Sequence, residues 1–270
     1  MGVLAAFAAV LNGAQAPDAA EQSSYLKEVR AKALAYSNEL PNFVCTRVTE
    51  RFRDYLGTGK DWKAVDTIEE QLTYFERREK GTLLRVNGKP PTAEGTGVGI
   101  TSSGEFGSTL RMIFDPSSGT AFTWQRIENL RGRAMEVFSF YVDRGHSSAI
   151  LDVPRAAAVV SFRGLVYADR ETKRVMRITT EAESPEGAPL QHVIHVLDYG
   201  SVLIGGQQYF VPFHDELRLQ MPVELLGDTR KRLKSRMVAI RNEVDFRDYR
   251  KYSVDSDLRF DSGDPAAKKK

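Results

Sequence analysis

The chain has 270 residues, of which 41% are hydrophobic and 27% charged, and its 38 basic and 36 acidic side chains give a formal net charge of +2. This composition excludes a disordered chain, and the near-neutral balance argues against a nucleic-acid-binding protein, which usually carries a concentrated basic surface. A single cysteine excludes an intramolecular disulfide and any paired-cysteine metal or redox site.

Residues 1–16 have the layout of a secretory signal peptide. An uncharged apolar run from Val3 to Leu11 is followed by the triplet Ala14-Gln15-Ala16, which predicts cleavage after its last alanine. The run is too short to span a bilayer, which takes about 20 residues. We therefore expect a periplasmic or secreted protein without a transmembrane segment. A buried N-terminal helix is the alternative interpretation of the same run.

Residues 17–40 are predicted to form an N-terminal helix. Apolar side chains recur near the 3.6-residue spacing from Asp18 to Leu40, with charged side chains between them, and Pro41 ends the pattern. A second helix of one or two turns is indicated over Thr109 to Phe114.

From Phe43 onward the pattern changes to a series of extended segments of about eight to twelve residues, bounded by Gly, Pro, Asp or Asn. Segment 62–78 fits either a strand or a helix. In the second half of the chain large apolar residues alternate with polar ones, which is typical of an antiparallel sheet with one buried face. Gly205-Gly206 predicts a tight hairpin, and residues 231–245 and 246–260 predict the last two strands.

Strands far outnumber helices, and no alternation of strands and helices appears that would indicate a parallel sheet. The predicted fold class is therefore mainly β (α+β), a single large antiparallel sheet that is curled and partly covered by helix. We expect this β domain to occupy residues 41–260 and to be followed by a disordered basic tail, 261–270, that ends in three lysines.

The sequence shows no catalytic or metal-binding constellation. His192 and His195 lie three residues apart, and on a strand this odd offset sends them to opposite faces, so they do not chelate one ion. A G-x-S-x-G nucleophile motif is absent, and Cys45 lies in an apolar strand, where a thiol is usually inert. We predict no cofactor, no metal and no enzymatic activity. A hydrolase would need a convergent acid/base pair, which the sequence alone does not reveal.

Two other segments have ordinary structural interpretations. The glycine-rich stretch Gly95-Thr96-Gly97-Val98-Gly99 lacks the lysine-containing end of a phosphate-binding loop, so we interpret it as a flexible loop. The stretch from Arg230 to Arg236 has five basic residues in seven. On a strand it forms a basic stripe, which is either a solvated face, a protected edge or a contact for an anionic surface.

Three segments of the C-terminal half occur in a recognisable order. A strand that ends in Asp169 leads to the V-x-R pattern of Val175-Met176-Arg177; Asp198-Tyr199 then precedes the Gly205-Gly206 hairpin, and Phe246 to Tyr252 begins the last segment. This order resembles the lipoprotein-localisation-factor superfamily, the outer-membrane lipoprotein-sorting and carrier-like envelope proteins of bacteria. The resemblance implies an open half-barrel whose concave apolar face is plugged by an N-terminal helix and one or two short covering helices.

The resemblance also implies a function, because members of this superfamily carry or sense lipid chains or bind partner proteins. We expect a non-enzymatic exported protein that binds a lipid acyl chain or a lipoprotein on its concave face. The alternative is an interaction or scaffold protein with another envelope protein as its partner and no small-molecule ligand. Large apolar residues suit an acyl chain, and the same residues could instead pack against the helix as core. The candidates are Phe122, Trp124, Phe138, Phe140, Phe162, Met176 and Ile178.

Overall fold

A computed structural model describes residues 16–92, 103–151, 157–184, 188–226 and 237–252. In these residues the chain forms one long helix, one short helix and a series of strands. In order, the elements are α1 (Ala19–Glu39), β1 (Phe43–Asp54), β2 (Lys63–Phe75), β3 (Arg78–Val86), α2 (Ser108–Phe114), β4 (Ala121–Leu130), β5 (Arg133–Val142), β6 (Ile150–Leu151), β7 (Ala158–Val159), β8 (Ser161–Asp169), β9 (Val175–Glu183), β10 (Gln191–Ile204), β11 (Gln207–Pro222) and β12 (Met237–Lys251). Single 3-10 turns lie at Pro116–Ser118 and Val223–Leu226.

Ten strands form one antiparallel sheet in the order β3-β2-β1-β12-β11-β10-β9-β8-β5-β4. The edge strands β3 and β4 do not pair with each other, so the sheet is open, while β6 and β7 form a separate pair. The predicted fold class is confirmed: the protein is mainly β, an open antiparallel sheet with an N-terminal helix and one short helix. Segment 62–78, which the sequence left undecided, contains the strand β2.

The last strand crosses the boundary that the sequence predicted between two strands. A boundary between Asp245 and Phe246 is wrong, because both residues lie inside β12 and pair with successive residues of β1. Val244 and Phe246 are buried whereas Asp245 is exposed. The charged residue therefore belongs to the regular alternation of one strand, with its side chain on the solvent side.

Several sequence predictions lie outside the described residues. They concern the signal peptide, of which only Ala16 is described, the glycine-rich stretch 95–99, the basic stretch 230–236 and the tail 261–270. These predictions, and the domain bounds that depend on them, stay predictions.

Helix α1 begins at a reciprocal capping arrangement. The Asp18 side chain accepts a hydrogen bond from the Glu21 backbone N–H at 2.8 Å, and the Glu21 side chain accepts one from the Asp18 N–H at 3.0 Å, which satisfies two unpaired donors of the first turn. The helix stops just before Pro41. Neither helix of the described residues combines the length and the apolar composition that crossing a membrane requires.

The helices cover one face of the sheet, which we call the helix-covered face. Its largest apolar cluster joins Val29, Ala33 and Tyr36 of α1 to Ile113 and Phe114 of α2 and to side chains of the central strands. Two further clusters centre on Phe43 with Phe106 and on Leu217 with Leu219. A smaller cluster on the opposite face contains Met135, Val137 and Tyr167.

Candidate functional site

Four of the predicted ligand-binding residues are packed beneath the helices. Phe140, Phe162 and Ile178 are buried, and Phe122 is half-buried against the same cluster. The ring centroids of Phe122 and Phe140 are 6.4 Å apart, and those of Phe140 and Phe162 are 5.8 Å apart. We call these four residues, three phenylalanines and the isoleucine packed with them, the aromatic core. Their arrangement is the packed-core alternative that the sequence left open, and a role in ligand binding stays a prediction.

Phe138 and Trp124 lie at the beginning of α1 instead. Phe138 stacks on Tyr25 with ring centroids 5.9 Å apart, and the Trp124 indole donates a hydrogen bond to Glu136 at 2.6 Å. They border a cleft of about 740 Å³ whose other lining residues include four carboxylates and two basic side chains: Asp18, Glu21, Glu28, Glu136, Arg170 and Lys173. A lining this rich in charge does not suit an acyl chain.

Met176 lies on the other side of the sheet. The prediction that Met176 and Ile178 share a face is wrong, since Met176 packs with the Val137 cluster of the opposite face. The cause is a shift in the pairing of β9 with β8 between Tyr167 and Ala168. The shift leaves one extra residue in β9, and an extra residue reverses the direction of the side chains that follow it.

A smaller and mainly apolar cavity lies beyond α2 on the helix-covered face. Its volume is about 210 Å³, and α2, the β6 segment and the strands β8 to β11 enclose it. We call it the pocket. Of the predicted residues it contains Phe162. Its other apolar lining residues are Met112, Ala149, Ile150, Leu151, Val160, Ala182, Leu190, Val193, Leu217 and Leu219.

His195 is the one titratable side chain in the lining that the described residues provide. Its Nε2 lies 2.5 Å from Oδ1 of Asp215, and the His195 side chain is 15% exposed whereas that of Asp215 is fully buried. Strand pairing brings them together, because His195 and Asp215 lie two residues apart in the register of β10 against β11. Burial alone would lower the pKa of His195, but the charge of Asp215 and its hydrogen bond outweigh burial and raise that pKa.

A third ionisable side chain, Glu105, lies near His195 and Asp215 and comes from the segment just before α2. It is 1% exposed, and its Oε2 has no hydrogen-bond partner among the described residues. The Tyr199 hydroxyl donates to the Glu105 backbone oxygen at 3.2 Å. Burial, followed by the charges of Asp215 and Glu79, raises the pKa of the Glu105 carboxyl to about 7. We call His195, Asp215 and Glu105 the acid–imidazole cluster.

The remaining chemistry of the described residues is limited. They contain no group of three or more His, Cys, Asp or Glu side chains placed to hold a metal ion. Cys45 is buried, and burial raises the pKa of its thiol to about 12. Such a thiol is almost entirely protonated near neutral pH, which matches the inert role predicted for it.

The pocket could not be predicted from the sequence, because its wall comes from elements that are far apart in the chain. Leu151, Leu190 and Leu217 each look like an ordinary buried residue of a strand or turn. The alternation of Leu217 with Leu219 was a usable signal for the face. The segment that holds Glu105 carried no signal of burial, since it adjoins a glycine-rich stretch.

Comparison with known proteins gives structural similarity without close sequence relatives. No protein-family model and no curated protein matches the chain. Similar solved structures, each 10% identical in sequence, include a DUF1329 family protein from Desulfovibrio piger, with a TM-score of 0.37 over 87% of this chain and 93% of that one. A putative outer membrane lipoprotein-sorting protein domain from Vibrio parahaemolyticus has a TM-score of 0.38, and the match covers 84% of this chain and 92% of that one. A LolA superfamily protein from Nitrosomonas europaea has a TM-score of 0.31, with 84% of this chain and 94% of that one covered. The last two of these proteins bear names of the lipoprotein-sorting type that the sequence resembles, and the similarity concerns the fold alone.

Proposed function

We propose that the protein is a non-enzymatic carrier or binding module that takes one acyl chain of a lipid or lipoprotein into the pocket. The observation that carries this proposal is an apolar cavity on the helix-covered face, walled by leucine, valine and isoleucine side chains. Transfer of apolar chain from water to such a lining is favourable by roughly 0.8 kcal/mol for each buried methylene group.

The size of the pocket limits what it holds. At about 210 Å³ it lies below the roughly 300–1,000 Å³ of pockets for drug-sized ligands. A single short chain, or the end of a longer one, therefore suits it better than a bulky ring system. A longer chain would have to displace the aromatic core, with which the pocket shares Phe162.

The elements over the pocket are short, which favours entry of a ligand. Helix α2 has seven residues, and β6 and β7 have two each. Ile150 of β6 lines the pocket although its side chain is 61% exposed. A cover with few backbone hydrogen bonds opens at lower cost than a long helix such as α1.

We place this activity in the periplasm or outside the cell, because residues 1–16 have the layout of a cleaved signal peptide. N-terminal sequencing of the exported protein should begin at Pro17. An intact Met1 on cytoplasmic material would contradict export.

Octanol titrated into the protein by calorimetry tests the pocket. Ala182 lines it and is half-buried, so Ala182→Phe should fill the cavity and abolish binding. Ala64, an exposed residue of β2, provides the matched control, since Ala64→Phe should bind octanol like the wild type. A urea midpoint for each variant shows that it folds. Equal binding by both variants, or no binding by the wild type, would contradict the proposal. The second result would favour an interaction protein without a small-molecule ligand.

A further inference from the structure

We propose that the segment 103–107 is a pH-sensitive gate of the pocket, which packs against the sheet while Glu105 is protonated and opens when Glu105 loses its proton. We call these residues the gate segment. The inference goes beyond the proposed function but rests on it, because the pocket that the gate closes is the proposed ligand site. It follows from a buried carboxyl group whose Oε2 has no hydrogen-bond partner among the described residues, in a segment that borders the cavity.

The chain lines the pocket on both sides of Glu105. Ser103 precedes this residue, Thr109 in the first turn of α2 follows it, and both belong to the wall of the cavity. Gly104 and Gly107, with φ angles of 98° and 123°, flank the carboxyl in a backbone region that favours glycine. Glycine on either side allows the chain to change direction there at low cost. Movement of the gate segment would therefore open one wall of the pocket.

Few polar contacts hold the gate segment on the sheet. The Tyr199 hydroxyl donates to the Glu105 backbone oxygen at 3.2 Å, and the Phe106 backbone N–H donates to Oε1 of Glu79 at 3.4 Å. Both distances are longer than is usual for such bonds. Apolar packing adds to them, since the ring centroids of Phe106 and Phe43 are 5.2 Å apart. The closed arrangement is thus held mainly by one aromatic ring as long as Glu105 carries no charge.

The charged groups around Glu105 oppose its ionisation. Asp215 of β11 and Glu79 of β3 act on it as acids, and His195 of β10 acts on it as a base. The single positive charge of a protonated His195 is needed to balance Asp215, its neighbour across the strand pair. A charged Glu105 therefore has no counter-charge of its own, and a buried charge without one is costly.

Two tyrosines complete the surroundings of Glu105. The charge of Glu105 acts on Tyr199 of β10 and on Tyr249 of β12, and burial raises the pKa of each well above its usual value. Both hydroxyl groups therefore stay uncharged near neutral pH. Neither supplies a positive charge that would stabilise the carboxylate.

The difference in proton affinity sets how strongly pH acts on the gate. Burial and the acidic neighbours raise the pKa of Glu105 from 4.5 to about 7. An open segment exposes the carboxyl to water, where its pKa returns to the lower value. The open form therefore becomes more favourable as the pH rises, by up to about 300-fold in the equilibrium constant, and the effect is nearly complete just above pH 7.

Amide hydrogen exchange, measured by mass spectrometry, tests the gate without a ligand. After correction for the intrinsic effect of pH, the protection of amides 104–112 should fall by roughly 70-fold between pH 5 and 8, most of it below pH 7. Glu105→Gln should abolish this change. Glu50→Gln is the matched control, because Glu50 is an exposed glutamate of β1, and it should behave like the wild type.

Urea separates the gate from unfolding of the whole protein. Low concentrations of urea should leave the exchange of amides 104–112 nearly unchanged, because a local opening exposes little surface, while they accelerate the exchange of the amides of β1. Equal dependence on urea in both regions would mean that the segment leaves the sheet only when the protein unfolds, which would overturn the inference.

The rate of octanol association, followed by NMR exchange of its methyl signal, links the gate to the pocket. The wild type should bind octanol faster at pH 8 than at pH 5 by about the same 70-fold, and Glu105→Gln should keep the slow rate at both values. Association that is equally fast at both pH values would overturn the inference alone. Failure of octanol to bind at either pH would overturn the proposed function and, with it, the gating of a ligand site.

Discussion

Beneath α1 and α2 the helix-covered face is filled by the aromatic core, whereas beyond α2 the same face keeps a cavity of about 210 Å³. The sheet supplies large apolar side chains in both regions. The covering elements differ: α1 has 21 residues and places Val29, Ala33 and Tyr36 on the sheet, while β6 and β7 have two residues each. The length of the cover therefore decides which part of one continuous sheet face is closed and which part has room for a ligand.

The two regions also differ in charge. The aromatic core belongs to a cluster of apolar side chains and tyrosines, and the charged group of Arg30 lies over its edge, 6.0 Å from the centroid of the Phe122 ring. The pocket borders the acid–imidazole cluster, in which a half-buried histidine lies near a buried aspartate and a buried glutamate. Buried ionisable groups cost stability unless they are paired. One region of the face is therefore packed apolar core, and the other combines a cavity with buried ionisable groups.

The largest expected effect is in the aromatic core. Phe140→Ala should destabilise the protein by about 3–5 kcal/mol, because it leaves a cavity between the sheet and the helices. Octanol binding should persist, since Phe140 is not among the residues that line the pocket. Urea unfolding measures the first effect and calorimetry the second. The exposed Phe75 of β2 provides a control, as Phe75→Ala should cost within about 1 kcal/mol.

A different outcome for Phe140→Ala would contradict the assignment of the aromatic core to packing and of the pocket to binding. A small loss of stability together with a loss of octanol binding would mean that the aromatic core itself receives the ligand and that α1 moves to admit it.

A smaller effect is expected in the acid–imidazole cluster. Because the pKa of Glu105 is raised to about 7 in the folded protein, the folded state keeps this proton from about pH 4 to 7 while the unfolded chain releases it. Stability should therefore fall as the pH rises through this range. His195, with its raised pKa, contributes in the same direction, since its stabilising charge is lost as the pH rises through that raised value.

Glu105→Gln isolates the contribution of the carboxyl. The variant should match the wild type near pH 4 and be more stable at pH 8 by on the order of 3 kcal/mol, because it avoids ionising a buried group. Urea midpoints across this range measure the difference. A variant that is less stable than the wild type at pH 8 would show that a charged Glu105 is bound by a partner, and the cluster would then be a stabilising element.

The smallest effect concerns the attachment of α1. The Tyr25 hydroxyl lies 2.9 Å from the backbone oxygen of Ala168, so Tyr25→Phe removes one side-chain-to-backbone hydrogen bond and should cost about 1 kcal/mol. Thermal unfolding measures the loss. An unchanged melting temperature would indicate that water replaces the bond and that the beginning of α1 is held by apolar contacts alone.

Much of the fold could be predicted from the sequence, because periodicity reports directly on backbone geometry. The alternation of Phe138 with Phe140 places both on one face, and the structure agrees. Met176 shows the limit of this reasoning. The residue is displaced by an irregularity in the pairing of two strands, and a single sequence contains no information on register against a neighbour.

The candidate site could be predicted only in part. The sequence indicated the apolar face and one residue of the pocket, Phe162. It did not indicate the covering elements, which decide whether a face is packed or hollow. It also did not indicate that Glu105 and His195, 90 positions apart by their numbers, belong to one cluster of ionisable groups, since their proximity depends on how the segment before α2 lies on the sheet.

The two open edges of the sheet bear on how the protein behaves at high concentration. An exposed edge strand invites pairing with another chain and so promotes aggregation. On β3 the exposed side chains include Arg78, Lys80 and Arg85. On β4 the pairing with β5 is irregular between Trp124 and Arg126. Charge on one edge and irregular geometry on the other oppose the addition of a second copy, so the sheet can stay open without becoming a template for fibres.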